Sequence, residues 1–135
     1  MPPTSDPNRI PVNIITGFLG AGKTSTVLNL LNQKPKDERW AVLVNEFGEI
    51  GVDRSLMQGH SVTHNDVVIV EVPGGCMCCA AGLPMQMALS QLLFLGTPDR
   101  LLIEPTGLGH PVEVLQTLYS EAYRESLEVQ STVTL

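Results

Sequence analysis

The sequence has few charged residues, fewer basic than acidic residues, no long apolar run and no cysteine outside one short segment. Charged residues make up 16% of the 135 residues, and 8 Lys and Arg stand against 14 Asp and Glu, for a formal net charge of -6. A negative chain without a basic run offers little attraction to nucleic acid or to an anionic membrane surface. The sequence therefore predicts neither as a partner.

The apolar runs are too short for a membrane segment. They reach about 4 to 6 residues, against roughly 20 needed to cross a bilayer. The opening MPPTSDPNRIPV also lacks the apolar centre of a signal peptide. Together these absences predict a cytoplasmic protein, in which free thiols usually stay reduced.

All three cysteines, Cys76, Cys78 and Cys79, lie in the segment VPGGCMCCAAG. Such a cluster cannot link distant parts of the chain, and a disulfide between the neighbours Cys78 and Cys79 would be strained. Thiolates favour Zn²⁺, Co²⁺ or Cu(I), and three of them leave one position open for water, another side chain or a receiving protein. The alternatives are small buried cysteines and a redox-sensing thiol pair.

Short apolar runs alternate with segments of helical periodicity. The predicted strands are VNIIT, WAVLV, DVVIVEV, RLLIE and part of EVQSTVTL, and the predicted helices run from Lys23 to about Gln33, from Met85 and from Pro111. This alternation predicts an α/β fold with a mainly parallel sheet and helices on both faces. Residues 1–11, rich in proline, are predicted to form a flexible leader, and residues 12–135 one domain.

Several other side chains are assigned to packing or to the surface. Trp40, Met85 and Met87 are predicted to pack in the interior, and so is one side of the helix after Pro111, which carries Val112, Leu115, Leu118, Tyr119 and Ala122. The segment GHSVTHND is interpreted as a polar loop that exposes His60 and His64. His110 lies nearer the predicted active face and is a candidate ligand or proton-transfer group.

The segment GFLGAGKT, Gly17 to Thr24, matches the phosphate-loop pattern G-x-x-x-x-G-K-[ST] between a predicted strand and a predicted helix. Its backbone N–H groups and the helix start suit phosphate oxygens. Lys23 would neutralise the β- and γ-phosphates, and the Thr24 hydroxyl would hold Mg²⁺. The predicted nucleotide-binding residues are Gly17, Gly20, Ala21, Gly22, Lys23, Thr24 and Ser25.

A nucleoside-triphosphate hydrolase also needs an acid at the end of a buried strand and a backbone N–H near the γ-phosphate. Glu104 ends the strand RLLIE, and Gly107 follows three residues later. Read as structure alone, Glu104 would cap a helix or pair with a surface cation. After the second strand, NEFGEIGVD supplies Glu49 and Asp53, whose carboxylates suit Mg²⁺ waters or a second metal.

With these motifs in order, the chain resembles the amino-terminal GTPase domain of the CobW-type metal-chaperone family. The matching segments are TGFLGAGKT, NEFGEIGVD, GGCMCC and IEPTGLGHP. The resemblance implies GTP hydrolysis coupled to delivery of zinc or cobalt to a client metalloprotein or cofactor-synthesis enzyme. It also implies a metal site at Cys76, Cys78 and Cys79. Some members carry an acid before Asn45, where this sequence has Val44.

The resemblance also identifies what this sequence lacks. No guanine-reading motif of the N-K-x-D type occurs before Leu135, so residues 12–135 are expected to be a partial GTPase domain that hydrolyses GTP weakly and selects guanine poorly. A homo-oligomer stays possible. Two other functions are compatible with the residues: a non-catalytic metal or redox sensor that uses nucleotide as a structural ligand, and a phosphate-loop kinase acting on a small molecule.

Overall fold

The structure is a computed structural model. It describes residues 9–16, 23–44, 61–64, 66–72, 83–95, 97–104, 115–116, 118–120, 123, 125–130 and 132–134. The strands are β1 (Ile10–Thr16), β2 (Trp40–Val44), β3 (Ser61–His64), β4 (Val67–Glu71), β5 (Arg100–Glu104), β6 (Leu127–Val129) and β7 (Val133–Thr134), and the helices are α1 (Lys23–Asn32) and α2 (Leu83–Leu95).

The described strands form a sheet in the order β3-β4-β2-β5-β1-β6, and β7 pairs with β1 beyond β6. β4, β2, β5, β1 and β6 are parallel, which confirms the predicted mainly parallel sheet. Their apolar runs are nearly continuous because both faces of these strands are covered. The carboxyl ends of β1, β2, β4 and β5 therefore lie at one edge of the sheet, where parallel α/β folds bind ligands.

Each face of the sheet has its own apolar core. Ile14 and Ile103 point to the face covered by α2. Ile15 and Leu102 point to the opposite face, against Val27 of α1. The alternation within each strand follows the two-residue period of β-structure. Helices on both faces, as predicted, therefore cover one continuous sheet.

The prediction that GHSVTHND is a loop was wrong for its centre. Ser61–His64 forms β3, which pairs antiparallel with β4, with His64 opposite Val67. Asp66 lies between the two strands with φ 61°, a left-handed conformation that short hairpin turns require and that Asp tolerates better than most residues. An Asn-Asp pair between two β-branched runs was the sequence signal for this hairpin.

The first strand begins at Ile10, two residues before the predicted start of order at Val12. Pro11 is accommodated because the N–H of Ile10 and the carbonyl of Val12 both face β6, so the position between them faces β5. The pairing with β5 begins only at Val12, and no ladder hydrogen bond is lost. The leader predicted for residues 1–11 is therefore too long by at least these two residues.

Two further packing predictions were wrong. Met85 is buried, but Met87 on the other side of α2 is 56% exposed. Leu118 is buried, whereas the adjacent Tyr119 is 59% exposed. The hydroxyl of Tyr123, which lies beyond them, donates to the Gln86 carbonyl of α2 at 3.0 Å. This bond attaches Tyr123 to α2.

Trp40 is 8% exposed and packs on the α1 face, as predicted. Neither α1 nor α2 has the length and apolarity that crossing a bilayer requires, and the described residues hold no other helix that does.

Candidate functional site

The predicted phosphate loop connects the centre of the sheet to α1. β1 ends at Thr16, which is 9% exposed, and α1 begins at Lys23. A helix start at the carboxyl edge of a central strand presents backbone N–H groups and the positive end of the helix dipole to a bound anion. Residues 17–22 and the side chains of Lys23 and Thr24 lie outside the described part, and Ser25 is an exposed residue of α1.

Glu104 is a buried carboxylate next to this connection. It ends β5, which pairs directly with β1 through Ile14 and Ile103, and only 1% of its surface is exposed. It shares the α1 face with Leu102, two residues earlier. An alternative assignment to a surface ion pair does not fit this burial. Oxygen donors of this kind suit a hard cation such as Mg²⁺, so Glu104 fits the role predicted for it.

A second buried carboxylate, Glu71, was not among the residues predicted from sequence. It ends β4 and is 7% exposed. Across the sheet, Glu71 pairs with Val44 of β2, and Val44 pairs with Glu104 of β5. Residues in parallel register point to the same face, so the three side chains form one row on the α1 side. An acid at the end of the otherwise apolar run VVIVE was the available sequence signal.

The strands that lead into the other predicted motifs end beside each other. β2 leads into the segment with Glu49 and Asp53, and β4 leads into the segment with the cysteines. The N–H of Val72 donates to the carbonyl of Val44 at 2.8 Å, which extends the β2–β4 pairing past the last strand residue. The two motif segments therefore leave the sheet from adjacent, hydrogen-bonded positions.

The other predicted site residues lie outside the described residues. They are Gly17, Gly20, Ala21, Gly22, Glu49, Asp53, Cys76, Cys78, Cys79, Gly107, His60 and His110. Within the ranges that the structure describes, no three His, Cys, Asp or Glu side chains lie close enough to hold a metal. Their predicted roles stay predictions.

One cavity on the α1 face is a distinct feature near the amino ends of the strands. It has a volume of about 370 Å³ and an apolar floor that includes Ile15 and Leu102. At its rim the Arg100 guanidinium lies 5.6 Å from the centre of the Trp40 ring and donates to the Asn13 side chain. The Trp40 indole N–H donates to Glu38 Oε1 at 3.0 Å. Arg100 and Trp40 begin their strands, so this rim of the cavity lies toward the amino ends of β5 and β2.

The residues that a known family matches include both the phosphate-loop sequence between β1 and α1 and the strand that ends at Glu104. The family described as CobW/HypB/UreG, nucleotide-binding domain, matches residues 11–135. The chain belongs to the CobW/HypB/UreG family. Its fold is the phosphate-loop NTPase fold that the sequence predicted, and the resemblance drawn from the four motifs is confirmed.

Individual CobW/HypB/UreG relatives support the same assignment. The chain is 52% identical over 121 residues to the zinc chaperone YeiR of Escherichia coli, covering 90% of this chain and 35% of YeiR. It is 36% identical over 135 residues to the zinc-regulated GTPase metalloprotein activator 1 of Schizosaccharomyces pombe, covering 98% of this chain and 32% of the activator. The chain thus spans about a third of the length of these relatives.

A solved structure agrees with the fold. The crystal structure of the Zn(II)-bound YjiA GTPase from E. coli superposes with a TM-score of 0.63 at 30% identity, covering 94% of this chain and 40% of YjiA. The similar proteins thus include a zinc-bound GTPase, a zinc chaperone and a zinc-regulated GTPase metalloprotein activator.

Proposed function

We propose that this chain is the nucleotide-switch domain of a GTP-hydrolysing zinc metallochaperone. The observation that carries the proposal is Glu104, a carboxylate 1% exposed on the strand next to β1 and on the face covered by α1. The start of α1 and the end of β5 belong to the same region of the sheet edge. A triphosphate bound by the β1–α1 connection would therefore have an oxygen ligand for its metal ion close by.

The nucleotide-binding residues divide the work between anchoring and hydrolysis. The backbone from Gly17 to Ser25 would bind the phosphates, and Lys23 would neutralise charge at the β- and γ-phosphates. Thr24 and Glu104 would hold Mg²⁺, which supplies charge neutralisation on the phosphate oxygens when bound. The N–H of Gly107 would donate to the γ-phosphate. Burial of Glu104 keeps water away from its carboxylate and fixes its direction.

Cys76, Cys78 and Cys79 are proposed to bind the metal that the protein delivers. The chemistry of three thiolates favours zinc, with cobalt as the alternative. The names of two similar proteins, a zinc chaperone and a zinc-regulated GTPase metalloprotein activator, support zinc. Delivery would be to a client metalloprotein or a cofactor-synthesis enzyme in the cytoplasm.

Coupling between nucleotide and metal would pass through the strand ends. β2, β4 and β5 end in one register, at Val44, Glu71 and Glu104. A bound triphosphate would order the segments that follow β5 and β2. The segment after β4, which carries the cysteines, is adjacent to them, so its surroundings would change. Glu49 and Asp53, after β2, would respond to the metal shell of the nucleotide. Zinc would bind with different affinity in the GTP and GDP states.

The nucleotide site is tested by two substitutions. Lys23→Ala should weaken binding of a fluorescent GTP analogue by about 100-fold, because one charge-assisted contact contributes up to about 3 kcal/mol. Glu104→Gln should slow GTP hydrolysis by at least about tenfold, since altering a metal shell typically costs 10–100-fold. Glu128→Gln, a half-buried strand glutamate of β6, is the matched control and should change neither.

The proposal would be overturned by Lys23→Ala protein that binds the analogue as tightly as the unaltered protein. Hydrolysis that survives Glu104→Gln at the unaltered rate would remove Glu104 from the mechanism. The switch is tested separately, by zinc titrations with GTP analogue and with GDP. Equal zinc affinities in the two states would exclude it.

A further inference from the structure

The cavity on the α1 face has no part in the proposed nucleotide and metal chemistry. Its volume is about 370 Å³, near the lower limit of the range of about 300 to 1,000 Å³ that is usual for pockets that bind small molecules. None of the described residues that line it is one to which a nucleotide or metal role is assigned above. A small ligand therefore fits this cavity better than a nucleotide or a protein segment does.

The inner wall of the cavity is aliphatic. Ile15 of β1 and Leu102 of β5 are buried on the α1 face, and Leu30 of α1 packs against the same core. These side chains have no polar atom that could bind a polar group of a ligand. Because removing alkyl surface from water is favourable, this wall favours an alkyl group.

Two opposite charges lie at the rim, and both contact the indole of Trp40. The Arg100 guanidinium lies 5.6 Å from the centre of the ring, and the indole N–H donates to Glu38 Oε1 at 3.0 Å. Arg100 also donates to the Asn13 side chain. Among the described residues, Arg100 and Glu38 form no ion pair with each other, so both keep hydrogen-bonding capacity for a ligand.

We propose that this cavity binds a free aliphatic α-amino acid such as leucine. The alkyl side chain packs on the aliphatic wall, the carboxylate accepts from Arg100, and the ammonium donates to Glu38. Arginine suits this role because its planar guanidinium can donate two parallel hydrogen bonds to a carboxylate.

The two rim charges select a zwitterion over a ligand with a single charge. A carboxylate alone would meet the like charge of Glu38, and an ammonium alone would meet the like charge of Arg100. An α-amino acid carries both charges and complements both side chains. The inference uses neither the phosphate loop nor the cysteines, so it does not rest on the proposed function.

Fluorescence of Trp40 is the direct test, because this residue lines the cavity and is the single tryptophan of the chain. Leucine should change the emission saturably, with a dissociation constant of about 1 mM or lower, and calorimetry should give the same value. Leucinamide lacks the carboxylate and N-acetyl-leucine lacks the ammonium. Each should bind at least about tenfold more weakly than leucine.

Two variants locate the ligand in the cavity. Glu38→Gln removes the charge while its amide oxygen can still accept from the Trp40 indole, and it should weaken leucine binding at least about tenfold. Leu30→Phe adds volume at the aliphatic wall and should abolish binding. Glu125→Gln is the control, since Glu125 is exposed and is not among the residues that line the cavity. It should bind leucine as the unaltered protein does.

The proposal would be overturned by leucine that leaves Trp40 emission unchanged and releases no heat up to about 10 mM. Equal binding of N-acetyl-leucine would overturn it in favour of the carboxyl end of a peptide, and equal binding of leucinamide in favour of an amino end. Leucine affinity that survives Glu38→Gln would overturn the ammonium contact, and this variant decides even if Leu30→Phe fails to fold. None of these measurements involves GTP or zinc, so their failure leaves the proposed function standing.

Discussion

Val44 separates the two buried carboxylates, so replacing it with glutamate would place three acids in one row. Val44 is fully buried and pairs in register with Glu71 on one side and Glu104 on the other. Adjacent strands lie about 4.8 Å apart, and two like charges at that distance repel by about 3.5 kcal/mol at an effective dielectric constant of 20. We expect Val44→Glu to be strongly destabilising.

Protonation sets an upper limit to this effect. The introduced carboxyl can escape repulsion by binding a proton in the folded state, which at pH 7 costs about 3.7 kcal/mol for an acid of ordinary pKa near 4.3. Repulsion from Glu71 and Glu104 together exceeds the 3.7 kcal/mol cost of protonation, so the introduced carboxyl binds a proton in the folded state and the loss stops at about that cost. The charge-dependent loss of stability should therefore be about 3.7 kcal/mol at pH 7, about 2.3 at pH 6 and about 1 at pH 5.

The loss of stability grows with pH because the pKa of the introduced carboxyl is higher in the folded state than in the unfolded chain. Below its unfolded-state pKa the group is protonated in both states, and the loss disappears. As the pH rises above that value, only the unfolded chain releases the proton freely, and the loss grows. Val44→Gln, equal in size but uncharged, is the reference that removes the effects of shape and amide burial.

The assay is urea unfolding of the two variants at pH 5, 6 and 7. Trp40, the single tryptophan of the chain, is buried in the same strand and reports unfolding by fluorescence. Equal dependence on urea concentration in both variants would show that the same surface is exposed. A stability difference that is absent, or that does not change with pH, would refute the three-residue row at the carboxyl edge.

Two further predictions concern packing away from the site. Asp66 has φ 61°, so Asp66→Gly should raise the free energy of unfolding of the protein and Asp66→Val should lower it, by about 1 kcal/mol or more in each direction. Urea unfolding measures both changes. Equal stabilities of the two variants would contradict a left-handed residue in this turn. Tyr123→Phe removes the hydroxyl that donates to the Gln86 carbonyl and lies 3.3 Å from the Ser90 hydroxyl, and should cost about 1 kcal/mol. Ser90→Ala, which leaves the bond to Gln86 in place, is the control and should cost less.

Much of the fold was predictable because its strands are covered on both faces. The strand Trp40–Val44 is apolar at every position, and the predicted strand WAVLV has the same first and last residues. β3 was missed because the run SVTH is short, has Val62 as its one apolar residue and lies at the edge of the sheet, where nothing requires continuous apolarity. Met87 and Tyr119 were misassigned because a helix shows its period in the sequence but not how wide its covered side is.

The candidate site was only partly predictable for a different reason. Glu104 could be found because it ends an apolar strand and is followed by glycine at a suitable distance. Glu71 ends an apolar strand in the same way, but its relation to Glu104 depends on β2 lying between β4 and β5. That order is a property of the sheet, since β3 and β4 come between β2 and β5 along the chain. Neither spacing nor composition indicates which strands become neighbours.

The common register of β4, β2 and β5 also determines which mutations the carboxyl edge of the sheet tolerates. Side chains alternate between faces, so loss of one residue inside β4 would rotate Glu71 toward α2 and bring a valine to the α1 face. A substitution within the strand alters one contact, whereas a single-codon deletion exchanges the two faces for every residue beyond it. The number of residues in each of these strands, more than their identity, is the property that selection must hold constant.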